Sequence, residues 1–225
     1  AMPLAAFFSP GRARAQASGN TVIDVLNFAL TLEYLEAEYY AMGLDSNGLL
    51  SGDTRATIAL IGQHEQQHVE FLRSAISGAG GTAVEMPSFD FTAGGTFPNI
   101  FSDQPTFLAV AQAFEDTGVR AYKGQAGNLM GNGDVLTAAL QIHSVEARHA
   151  SMIRRMRGSK GWITGDTNTT GAPAADAVYA GEDQTTQLGL DMTSSSVGRD
   201  QVTEAFDEPL EMQAVLDIAS LFIEA

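Results

Sequence analysis

The chain has 225 residues, 44% hydrophobic and 17% charged, enough for one domain with a sizeable core and an appendage. Its 27 acidic residues outweigh 12 basic ones, and a net charge of −15 repels phosphate backbones and anionic lipid, so no nucleic acid and no membrane surface is expected as a partner. There are no cysteines, which excludes disulfides, iron–sulfur clusters, thiolate zinc sites and a four-cysteine electron-transfer module.

Residues 1–19 begin with the apolar run Pro3 to Phe8 and continue through small-x-small patterns around Ala13, Ala15 and Ala17. That order resembles the end of a secretory signal and its cleavage site, so a periplasmic or secreted location is expected. The competing expectation is an arm that packs on a neighbour, which leaves a homo-oligomer open. No stretch is long enough to insert across a membrane.

Residues 20–157 carry four helical patterns. Asn20 or Thr21 caps a first helix running to about Met42, where Gly43 and Asn47-Gly48 end it. A second runs from the cap at Ser51–Asp53 to about Ser77. Residues 78–104 have no helical period, and a connection this long fits a crossover that travels the length of a bundle, anchored by Phe89, Phe91, Phe97 and Phe101. Asp103 with Pro105 opens a third helix, and Gly131-Asn132-Gly133 turns the chain into a fourth that ends near Arg157. Residues 158–225 hold twelve acidic residues against Lys160 and Arg199. This extension reads as a loop-rich wrap, with Asp207-Glu208-Pro209 capping a short terminal helix. The expected fold class is all-α: a four-helix bundle with a long crossover between its second and third helices.

Each long helix has titratable groups on its apolar face: Glu33 on the first, Glu65 and His68 on the second, Glu115 on the third, Glu146 and His149 on the fourth. Glu33 and Glu115 are 82 residues apart, Glu65 and Glu146 are 81, and so are His68 and His149. Tyr40 and Tyr122 repeat at 82. The chain therefore reads as two helix pairs, each offering a Glu and then a Glu-x-x-His. Residues i and i+3 share a helix face, so each Glu and His point the same way. Four carboxylates in a low-dielectric core need a counter-charge. Two divalent cations supply it, and carboxylate with imidazole suits iron or manganese. Glu33 and Glu115 are expected to bridge the metals, with each Glu-x-x-His terminal.

Glu36 lies about 60° off the stripe by helix geometry and is a candidate outer partner or substitute ligand. Tyr40 and Tyr122 are expected in the core, where they either bond to ligand carboxylates, the favoured role, or act as redox groups. His64 and His143 read as neighbours of the ligand motifs.

The runs Leu26 to Tyr40, Glu65-Gln66-Gln67-His68, Phe114-Glu115 with Tyr122, and Glu146-Ala147-Arg148-His149 resemble the ferritin-like superfamily of dinuclear carboxylate proteins. With Ala205 to Leu210 they are closer to its exported, desiccation-related branch. The resemblance implies two iron or manganese ions and redox chemistry on dioxygen or a peroxide, of ferroxidase, peroxidase or catalase type. Two other roles are compatible with it: an exported stress-related or assembly-forming protein stapled by its metal pair, and iron storage. The long crossover and tail depart from cage-forming ferritins, and the missing cysteines depart from rubrerythrins.

Overall fold

The computed structural model describes residues 22–194 and 196–224. The expected cap at Asn20 or Thr21 and the arm or signal remnant at 1–19 lie outside the described residues. Four long helices form the bundle: α1 (Val22–Asp45), α2 (Gly52–Gly78), α3 (Gln104–Ala126) and α4 (Gly133–Met156). Contacts are densest within the α1–α2 and α3–α4 hairpins, the two halves of the sequence repeat.

Helix α1 runs past its expected end at Met42. Gly43 stays helical and buried because the Phe107 ring of α3 occupies the space of a side chain; a Cβ there would lie 2.3 Å from Phe107 Cε2. Here glycine permits a close helix crossing and does not act as a stop. The start of α3 follows the sequence. Asp103 accepts from the Thr106 backbone N–H at 3.0 Å and its hydroxyl at 2.6 Å, and these bonds hold the carboxyl below its usual range. Asp103→Ala should lower the midpoint of denaturant unfolding, whereas Asp103→Asn should be close to neutral. Equal losses in the two variants would mean that the cap contributes nothing.

The crossover runs the length of α1. Near its start, the place of a Gly81 side chain is filled by Ile23; near its end, Phe101 packs on Tyr39, ring centroids 5.7 Å apart. Phe91 and Phe97 are buried, and Phe89 and Phe101 pack against them. Tyr39 anchors this aromatic group, stacked on Phe107 at 4.6 Å, edge-on to Phe114 at 5.0 Å, and donating to the Phe107 carbonyl at 2.8 Å.

The extension is loop-rich, as expected, with short elements set between its loops. It holds α5 (Asp176–Tyr179), a hairpin of β1 (Thr186–Gln187) and β2 (Leu190–Asp191), α6 (Arg199–Thr203) and α7 (Met212–Ala219). The hairpin pairs Thr186 with Asp191 and Gln187 with Leu190. Its two turn residues, Leu188 and Gly189, have φ of 52° and 81°, the left-handed pair that matches strand twist. Helix α7 begins after Glu211, later than the expected Asp207–Pro209 cap, and its Val215, Ile218 and Ala219 cover α1 and α3. Leu221, just past its end, is exposed. The C-terminal end joins the crossover, with Asp90 N–H donating to the Phe222 carbonyl at 2.9 Å and Glu224 N–H to that of Ser88 at 3.0 Å.

Buried charge also ties the extension to the bundle. Arg120 of α3 places Nε 2.8 Å from Glu182 Oε1 and donates to the Val178, Ala180 and Glu208 carbonyls. Arg154 of α4 grips Asp116 of α3 with two bonds of 3.0 and 2.6 Å, and Tyr179 donates to the same carboxylate at 2.8 Å. At Gly124 the Leu210 carbonyl lies where a Cβ would be, 1.9 Å away, so α3 accepts the extension only with glycine at that position.

Candidate metal centre

Midway along the bundle the four helices converge on a cluster of acids and imidazoles. Glu33, Glu65, Glu115 and Glu146 are fully buried and His149 is nearly so. Their ligand atoms fall into two groups, Glu33, Glu65, His68 and Glu146, and Glu65, Glu115, Glu146 and His149, with the atoms of each within 4.8 Å of one another. All six sequence-predicted residues are brought together. The shared members are Glu65 and Glu146. The carboxylates common to both groups are those of the Glu-x-x-His motifs, while Glu33 and Glu115, the residues expected to bridge, each belong to one group. The α2 and α4 carboxylates reach both groups, whereas those of α1 and α3 each reach one.

Both histidines present Nδ1 to the cluster. His68 Nδ1 lies 3.1 Å from Glu33 Oε2, 2.9 Å from Glu65 Oε2 and 3.4 Å from Glu146 Oε1; His149 Nδ1 lies 2.8 Å from Glu65 Oε1 and 3.3 Å from Glu115 Oε2. Several of these atoms are close but not bonded: Glu65 Oε1, Glu115 Oε2, both Glu146 oxygens and His149 Nδ1 are buried without a hydrogen-bond partner. Buried polar atoms are rarely left so. A donor set of oxygens and two imidazole nitrogens, aimed at common points and short of partners, fits metal ions that take oxygen and nitrogen ligands.

Electrostatics point the same way. Burial pushes Glu65 up to about 7 despite the opposing pull of the adjacent His149 and His68. Glu146 is raised well above the carboxylate range by burial and by the neighbouring Glu65 and Glu33. Burial by itself lowers His68 and His149, but Glu33 and Glu65 lift the first, and Glu115 and Glu65 the second, to about 10. Protons thus balance the carboxylates when no cation does.

The tyrosines hold the two carboxylates that belong to one group each. Tyr40 OH donates to Glu115 and Tyr122 OH to Glu33, each across from one helix pair to the other. Burial raises both phenols well above 10, so they remain donors. Glu36 proves fully interior. Helix α7 covers the side of α1 it faces, and burial followed by repulsion from Glu115, Glu65 and Glu33 raises its carboxyl. It joins neither four-residue group. His64 stacks on His149 at 5.2 Å, its Nδ1 3.0 Å from His149 Nε2, and so fixes the ring from behind. His143 joins neither group. The buried Asp116–Arg154 pair escaped the sequence reading; its one signal was an acid beside Glu115 and a base five residues after His149.

The fold and site define a helical bundle with a buried carboxylate–imidazole cluster able to hold metal ions. A family model described as a ferritin-like domain matches residues 21–159, and the chain belongs to that family. No curated protein sequence matches it.

Proposed function

We propose that the protein is a dinuclear non-haem metal oxidoreductase acting on dioxygen or a peroxide. Glu33, Glu65, His68, Glu115, Glu146 and His149 would hold two iron or manganese ions. The observation that carries this reading is the pair of four-residue groups sharing Glu65 and Glu146. The ions would supply electrons and a Lewis-acidic position for a small oxidant. The chain supplies the rest. Tyr40 and Tyr122 orient Glu115 and Glu33 by donated hydrogen bonds. The buried aromatic and aliphatic residues around them keep bulk water out. Gly118 leaves room beside the acids: a Cβ there would lie 2.9 Å from Glu146 Oε2 and 3.4 Å from Glu36 Oε1. Membership of an exported, stress-related branch, a periplasmic or secreted location and self-association belong to the same proposal.

The test is elemental analysis and peroxide turnover of the purified protein beside a Glu65→Ala/Glu146→Ala double variant. The parent should carry two iron or manganese ions per chain. The variant should lose them, with turnover falling by more than the roughly 10–100-fold that losing an outer partner costs. Unchanged metal content in the variant would refute the site. Bound metal with no turnover of dioxygen or peroxide would refute the oxidoreductase in favour of a metal-stapled structural protein, and uptake of many irons per chain would favour storage.

A further inference from the structure

A second feature lies at one end of the bundle. A cavity of about 500 Å³ opens between the start of α1, the ends of α2 and α3 and the start of α4. Its walls are overwhelmingly apolar, with Leu26, Ala29, Leu72 and Ala139 among them, and Tyr122 lines it too. The same Tyr122 donates to Glu33. Leu32 lines both this cavity and a small one beside Glu36 and Gly118. The cavity thus adjoins the acid cluster, separated from it by single side chains.

A void of this size left empty forfeits the dispersion contacts of its lining. Its apolar walls offer water few partners, and apolar cavities take up small hydrocarbons. Its volume falls in the range of small-molecule sites, which are mostly apolar with a few polar groups. Charge narrows the ligand further. Asp134 lines the cavity where α4 begins, and the chain carries a net charge of −15, so an anionic head group is disfavoured.

We propose that this cavity binds an apolar organic molecule without negative charge, such as an alkyl chain with a neutral head, with one end against Tyr122. Its position next to a metal pair rests on the function proposed above; the binding itself does not.

The test is isothermal titration of the full chain with 1-dodecanol, with dodecanoate as the anionic control and metal content measured on the same samples. Dodecanol should bind saturably at one site, at least ten-fold more tightly than dodecanoate, with or without metal. Ala139→Phe and Ala75→Phe, which fill the cavity from two helices away from the acid cluster, should each weaken dodecanol at least ten-fold while keeping the parent's melting temperature and metal content. No binding by the parent, unchanged affinity in both folded variants, or equal affinity for dodecanoate would overturn the proposal. So would a crystal structure of the full chain with its own residues 1–21 in the cavity. Loss of metal from all samples with dodecanol binding intact would count against the metal reading alone.

Discussion

Stripped of metal, the protein should lose stability as pH rises from about 5 to about 9, and saturating Mn²⁺ should reverse that slope. Glu65 folds with its carboxyl raised to about 7, and His68 and His149 fold with imidazoles at about 10. In the unfolded chain these groups return to about 4.3 and 6.5. The native state therefore binds more protons than the unfolded state throughout this window, and stability falls with pH. For Glu65 the loss runs from about 4.3 to 7. For the two histidines it begins near 6.5 and is complete near 10. A single pKa unit is worth about 1.4 kcal/mol, and each kcal/mol moves the melting temperature of a chain this size by about 2–4 °C. One such unit alone moves the melting temperature by about 3–6 °C, so a fall of at least that size is expected. Metal ligands must be deprotonated, so cation binding competes with these protons and strengthens as pH rises. At a hundred-fold excess over Kd it adds about 2.7 kcal/mol. Melting curves at pH 5, 7 and 9, with chelator and with Mn²⁺, check both halves. A chelated protein more stable at pH 9 than at pH 5 would contradict the charge balance drawn for the cluster.

Arg120→Ala should be among the most damaging single substitutions outside the cluster, costing about 3–5 kcal/mol, the usual loss when one partner of a buried ion pair is removed. Arg120 is 1% exposed. Without it, Glu182 stays buried, and burial already pushes that carboxyl up to about 7 even with the arginine's opposing pull. The Val178, Ala180 and Glu208 carbonyls also lose their donor. The loss falls on the attachment of the extension, so limited proteolysis should cut first within residues 176–211. Replacing both partners, as Arg120→Met with Glu182→Leu, should recover much of the stability, because no unpaired charge remains. A loss below about 1 kcal/mol for Arg120→Ala would mean that the extension does not depend on this contact.

How much of this was legible beforehand differs from residue to residue. Glu33 and Glu115, Glu65 and Glu146, and His68 and His149 could be paired from spacing alone. A repeat puts equivalent side chains on equivalent helix faces, and buried acids at such positions demand a common counter-charge. The aromatic anchors of the crossover were readable for a similar reason, since a segment without helical period holds a core only through large side chains. Gly43 was misread because a glycine's local preference says nothing about a Phe107 ring arriving from 64 residues away.

By itself, then, the sequence determined the four amphipathic helices, their two-fold repeat and the six acids and imidazoles, all of which follow from periodicity within a single helix and its copy. Only the tertiary structure decided that Glu65 and Glu146 belong to both groups, that Glu36 is sealed beneath α7, and that Arg120 and Arg154 fasten the extension. Those outcomes depend on which helix covers which face and at what distance. A 3.6-residue period shows the direction of a side chain and leaves open what it meets.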